Sequence, residues 1–186
     1  LRELVEHAKA NPGRLNFGST GPGTLSHLAT EDLAAREGFR AEHVSYRGVA
    51  PAVLDLVAGR IQFFFAPLAG VAGQVRDGGL RARAVTGPAR MAQLPEVPTL
   101  REAGATLEPV VAWIGMFGPA GMPADRAARI AQEANTALNN PEQRRILEAA
   151  GFEPVGSTPA EFAALQRAEI ERWGGLIRRL GIRPES

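Results

Sequence analysis

The chain has 186 residues, 45% hydrophobic and 22% charged, with 21 basic against 20 acidic side chains and a net charge of +1. That length and composition suit a folded chain with a real core and exclude intrinsic disorder, and the even charge balance argues against a general nucleic-acid surface. Zero cysteines exclude disulfides, thiolate zinc sites and cysteine nucleophiles; no apolar run reaches the roughly 18 residues of a membrane span, since the longest, 61–72, is broken by Gln62, Pro67 and Gly70.

In chain order, the periodicities alternate between helix and strand. A helical stripe of Leu1, Leu4, Val5 and Ala8 stops at Asn11-Pro12-Gly13. The stripe is already under way at Leu1, with no initiator Met or capping residue ahead of it, and reads as a chain joined midway. Residues 15–18 form a predicted strand, 24–37 a helix stopped by Gly38, and 43–46 a second strand. Pro51 suits the first turn of a helix that ends at Gly59. The apolar run 61–66 then reads as a strand buried on both faces, 68–76 as a helix and 80–86 as a fourth strand. This order predicts an α/β fold: an open, mostly parallel sheet with right-handed crossovers and helices on both sides. Beyond it the spacing predicts a short helix over 99–103, strands over 110–117 and 153–155, and helices over 124–138, 141–149 and 159–180. Thr158 and Glu161 match a capping box at the start of the last one.

In such a sheet, ligands bind beyond the carboxyl ends of the strands, so the loops after the first three strands carry the functional reading. The first, Gly18-Ser19-Thr20-Gly21-Pro22-Gly23-Thr24, opens a helix with small residues and hydroxyls. Backbone N–H groups at a helix N-terminus and the helix dipole make it a receptor for carboxylate or phosphate. It lacks the lysine of a phosphate-binding P-loop. Ser26 stands where a dinucleotide fingerprint has its third glycine, and Arg47 could meet a 2′-phosphate, so an NADPH-type enzyme stays open as an alternative. Phe17 stands where a nucleophile elbow needs glycine. The plain structural alternative is a tight turn in which Ser19 or Thr24 caps the helix. His27 either helps hold a carboxylate or packs in the interior, and the three histidines show no metal-ligand spacing. The second loop offers the Tyr46 hydroxyl, the Arg47 charge and Gly48; the third, Ala66-Pro67, offers backbone groups only. No carboxylate pair is set for acid and base work, so the clefts are built to bind, not to react.

The segments ELVEHAKANPGRLNFGSTGPGT (3–24), Ser26-His27-Leu28, HVSYRGVAPA (43–52), LPEVPTLREAG (94–104), Ala112-Trp113, GPAGMP (118–123) and PVGSTPAEF (154–162) closely resemble the tripartite tricarboxylate transporter receptors, the Bug or TctC-like solute-binding proteins. The resemblance covers essentially the whole chain in one order. It implies a periplasmic-binding-protein-like, type II-like fold: a two-domain clamp that closes on a small carboxylate-bearing solute and delivers it to membrane permease subunits. It further implies a periplasmic location, a monomer and no cofactor, beside the absence of a metal or nucleic acid expected from the histidine spacing and the charge balance. A ligand-sensing interaction module is a further alternative. On this reading 1–110 is one complete Rossmann-like lobe, 111–186 crosses back to an incomplete one, and the N-terminal third or more of the family's chain has no counterpart here. By position, Ser19, Thr20, Gly21, Gly23, Thr24, His27, Tyr46, Arg47, Gly48, Ala66 and Pro67 match the family's cleft. Relatives often carry an acidic or amide residue where Ala66 or Pro67 stands.

Overall fold

The computed structural model describes residues 1–182. Helix α1 (Arg2–Ala10) buries Val5 and Ala8, ends at Asn11 and leads through Gly13 into β1 (Asn16–Ser19). α2 (Leu25–Glu37) ends at Gly38, whose left-handed φ of 73° lets its N–H and that of Phe39 close on the Ala34 carbonyl. β2 (Glu42–Ser45), α3 (Val49–Val57), β3 (Phe63–Phe64) and α4 (Leu68–Arg76) follow. The described strands make one parallel sheet in the order β2-β1-β3, with Phe17 opposite His43 and Phe63, and Ser19 opposite Ser45. Right-handed crossovers to opposite sides of β1 put α2 on one face and α3 on the other. Phe17, Leu33 and Ile61 are fully buried in this core. Gly18 permits the approach of the next strand: a Cβ there would lie 2.6 Å from Ile61 Cδ1.

Three predicted strands are not formed. Residues 80–84 do not pair with β3, and a single parallel bridge joins Val85 to Thr99. The alternation Arg81-Ala82-Arg83-Ala84 offers exposed charge on one side and methyl groups on the other, too little apolar surface to hold a central strand. Residues 110–117 and 153–155 are extended or irregular, and 99–103 is a run of turns tied by Glu102, which accepts from the Thr99 N–H at 2.8 Å and from Arg90.

The chain divides into two compact units, one of Leu1–Ala112 joined by the chain from Leu176 onward, the other Trp113–Gly175. In the first, Asp32 on α2 is buried and paired with Arg36 at 3.0 Å and Arg179 at 3.7 Å. The second holds α5 (Ala124–Leu138), α6 (Pro141–Ala149) and α7 (Pro159–Leu180) up to Gly175, each with the bounds its sequence pattern predicts. Asn140 caps α6 by accepting from the N–H groups of Glu142 and Gln143, and the predicted Thr158–Glu161 box caps α7. Of its described residues only Pro154 and Trp173 are buried, while Ile114 is 84% and Met116 70% exposed. Among the described residues no helix is long and apolar enough to cross a membrane.

Candidate functional site

The carboxyl ends of the three strands feed three helix N-termini: α2 behind Thr24, α3 behind Gly48 and α4 behind Pro67. None of the three has a side-chain cap, in contrast to α6 and α7, although α1 and α5 also start uncapped. A helix start leaves its first N–H groups without intrahelical partners, so this edge of the sheet gathers unfilled donors and three positive dipole ends.

The hydroxyls of the first loop are spent on shaping it. Thr24 does not cap α2; its Oγ1 donates to the Gly21 carbonyl at 2.6 Å. Ser26 Oγ accepts from the Thr20 N–H at 3.2 Å and lies 3.1 Å from Thr24 Oγ1. Ser19, with no exposed surface, is the hub: its Oγ accepts from the Gly21 N–H at 3.0 Å, donates to the Gly21 carbonyl at 3.1 Å and lies 2.6 Å from His43 Nε2. Gly21 and Gly23, at φ 134° and 75°, supply backbone geometry that side chains rarely adopt. The capping alternative is therefore incorrect for both Ser19 and Thr24, because a hydroxyl turned inward to the loop carbonyl cannot reach the helix amides.

His27 lies in the first turn of α2, buried, with Nδ1 accepting from the Gly23 N–H at 3.0 Å and Nε2 3.7 Å from Glu31. His43, directly opposite Phe17 on β2, stacks on the His27 ring with centroids 3.9 Å apart and planes 9° from parallel. Burial, and then the neighbouring His27, hold the His43 imidazole below the ordinary histidine range. Spacing along the chain gives no hint of this pair; it exists because parallel pairing sets β2 beside β1 while α2 crosses the same face. His43, Ser26 and Glu31 are thus site neighbours that the sequence reading missed. Ser19 and His43 have the distance of a nucleophile and its base, but a serine with no exposed surface admits no substrate.

The second loop differs from expectation. The Tyr46 hydroxyl donates to Asp55 Oδ2 at 2.9 Å, and Arg60 holds Oδ1 of the same carboxylate at 2.6 Å. Arg60 and then Tyr46 hold the Asp55 carboxyl below its usual range, while burial and the Asp55 hydrogen bond push the phenol up. The Tyr46 hydroxyl is therefore not free for a ligand. Arg47 beside it is exposed, and Gly48 turns at φ 113°. Ala66 is half-buried and Pro67 exposed, with the Pro67 carbonyl accepting from Gly70 at 3.0 Å. Among the described residues no group of three His, Asp or Glu side chains could hold a metal. A depression of about 570 Å³ lies elsewhere, among Ala128, Gln132, Asn135, Thr136 and Pro159 of the second unit, where the Asn135 amide is already bound to the Ser157 backbone.

The family model for the "Tripartite tricarboxylate transporter family receptor" matches residues 1–182. The chain belongs to this receptor family. It is 40% identical over 178 residues to the "UPF0065 protein in tcbD-tcbE intergenic region" of Pseudomonas sp. (strain P51), covering 95% of this chain and 53% of that protein. To "Protein BugT" of Bordetella pertussis it is 30% identical over 181 residues, covering 97% and 56%. Among solved structures it is similar to "R. palustris Rpa4515 with adipate", at TM-score 0.87 and 28% identity, covering all of this chain and 62% of that one. "Structure of a periplasmic transporter" matches at TM-score 0.84 and 32% identity, covering 98% and 61%. MatC of Rhodopseudomonas palustris, with bound malate, matches at TM-score 0.79 and 26% identity, covering 95% and 61%. The chain thus spans about half the length of these two curated relatives, and the parallel α/β architecture is that of the solved receptors.

Proposed function

We propose that this receptor chain binds a small carboxylate-bearing compound, a di- or tricarboxylate, acidic amino acid or aromatic acid, at the carboxyl edge of its parallel sheet, and serves its delivery to the permease subunits of a transporter. The observation that carries the reading is the convergence there of three helix N-termini without side-chain caps. Backbone N–H groups and helix dipoles bind an anion without any net positive charge on the chain. The contact residues are Thr20, Gly21, Gly23, Thr24, His27, Arg47, Gly48, Ala66 and Pro67, with Tyr46 contributing its ring; Ser19, expected among them, is fully buried and shapes the loop from behind. Arg47 supplies the one side-chain cation of these loops. The adipate and malate in two similar structures support the ligand class.

In this reading the protein is a monomeric periplasmic receptor without cofactor or catalysis. Residues 1–110 are the ligand-clamping lobe and 111–186 the crossover and return to a second lobe, a reading supported by the exposed apolar side chains of the second unit. The NADPH alternative loses ground because Ser26 Oγ occupies the loop where a pyrophosphate would need an open glycine approach.

The test is calorimetry with adipate, malate and benzoate on the native chain and on Leu25→Pro. Leu25 is the first helical residue of α2, where proline is tolerated, and Thr24 at φ −71°, ψ 160° already has the backbone that precedes a proline. The variant deletes one N–H donor while keeping the helix, and affinity should fall about tenfold, the loss of roughly one charge-assisted hydrogen bond. Unchanged affinity in a folded Leu25→Pro would place the ligand elsewhere.

A further inference from the structure

The stacked imidazoles serve no packing need that two uncharged rings would not meet, and each holds a different part of the loop. The Gly23 N–H donates to His27 Nδ1, which fixes the His27 proton on Nε2, facing Glu31. His43 Nε2 meets Ser19 Oγ, the hydroxyl that positions Gly21. A proton arriving at His27 Nδ1 would face the Gly23 N–H donor to donor and end that bond. Gly23 would then join the N–H groups at the start of α2 as a further donor toward bound anion.

We propose that the His27–His43 stack is a proton-linked latch on the anion loop: the uncharged pair holds the Gly23 amide, a proton on His27 releases it to the ligand, and carboxylate binding therefore takes up a proton. The inference rests on the carboxylate reading above. The sign follows from electrostatics, since an anion beside an imidazole favours the charged ring and by linkage the charged ring favours the anion. The surroundings limit the pair to one proton. On α2, Glu31 favours the charged form, and Asp32 is committed to Arg36 and Arg179. β1 presents Phe17 and Ser19, which carry no charge; on β2, Glu42 next to His43 is exposed. Two charged rings stacked 3.9 Å apart would repel. Of the two rings, His27 is the one that faces a carboxylate, with Nε2 3.7 Å from Glu31, while His43 Nε2 is taken by the Ser19 hydroxyl, so the latch places the proton on His27.

Two measurements on the whole chain test this. In the first, without ligand, NMR follows the imidazole signals and the glycine amides from about pH 8 to about pH 5, where histidine ordinarily titrates. The Gly23 amide should move along the His27 curve, while Gly13, whose N–H goes to the Arg40 carbonyl, should not. A Gly23 amide that stays still while His27 titrates, or a His27 that never titrates in this range, would overturn the latch. In the second, calorimetry of adipate near pH 6.5 in buffers of differing ionisation enthalpy counts protons. Net uptake by the native chain, abolished in His27→Gln, supports the coupling, because glutamine can still accept from Gly23 but carries no proton. Zero uptake or net release refutes it. If adipate and malate do not bind at all, the carboxylate reading and its coupling both fall, and the ligand-free titration alone decides whether the latch exists.

Discussion

Replacing Ser19 by alanine should destabilise the first unit by about 2 kcal/mol, within a range of about 1–3 kcal/mol. The side chain has no exposed surface, and its Oγ makes three close contacts: His43 Nε2 at 2.6 Å, the Gly21 N–H at 3.0 Å and the Gly21 carbonyl at 3.1 Å. Alanine fits the space, so no packing strain enters. The cost comes from two polar groups left without their partner, the Gly21 N–H and His43 Nε2. Both residues are only half-buried, and partial access of water keeps the loss below the full desolvation penalty. Tryptophan emission is the wrong probe, since both tryptophans, Trp113 and Trp173, lie in the second unit. Amide exchange of the β1 residues reports the first unit directly, and a loss of about 2 kcal/mol should speed it by roughly 30-fold where exchange requires opening of the sheet. Ser45→Ala is the control: Ser45 pairs with Ser19 in the strand register but is exposed, and its loss should stay within about 0.5 kcal/mol. If Ser19→Ala costs no more than Ser45→Ala, the hub assigned to Ser19 does not exist.

Two more outcomes are expected. His43 has a lowered pKa in the folded chain, so the unfolded chain binds its proton more readily. Its contribution to stability is fully present above the unfolded value of about 6.5 and declines as the pH falls below it toward the folded value; urea midpoints for the native chain should drop over that window more steeply than those of His43→Gln. In the second unit, Gly115→Ala would set a Cβ 2.7 and 2.8 Å from Cε1 and Cε2 of Phe162, whose ring packs against Trp113 and Phe117, both at 5.2 Å between centroids. Expulsion of that ring should cost about 1–3 kcal/mol and shift the Trp113 emission, and an unaltered spectrum would show that the aromatic cluster does not form.

The helices of the second unit and the glycine-rich turn before α2 were legible from the residues because their causes are local. Proline at Pro141 and Pro159, the Asn140 cap and the Thr158–Glu161 box all act within four residues, and they fix α6 and α7 before any tertiary contact is made. Gly21, Gly23 and Thr24 likewise announce a turn into a helix. Strands depend on partners: Leu80–Thr86 has a strand's alternation, yet its Arg81-Ala82-Arg83-Ala84 centre has little apolar bulk, and it finds only the Val85–Thr99 bridge. The same holds for the site's interior. His27 and His43 meet only because a parallel register brings β2 beside β1 under α2, and the Tyr46 hydroxyl is taken by Asp55 from the following helix. The sequence by itself determined the α/β order, the near-neutral balance of 21 basic and 20 acidic residues, and a glycine-rich turn that leads from a strand into a helix. Tertiary structure decided which hydroxyls are already spent, which imidazoles touch and which helix starts remain uncapped, because those depend on distances across the fold that no local pattern encodes.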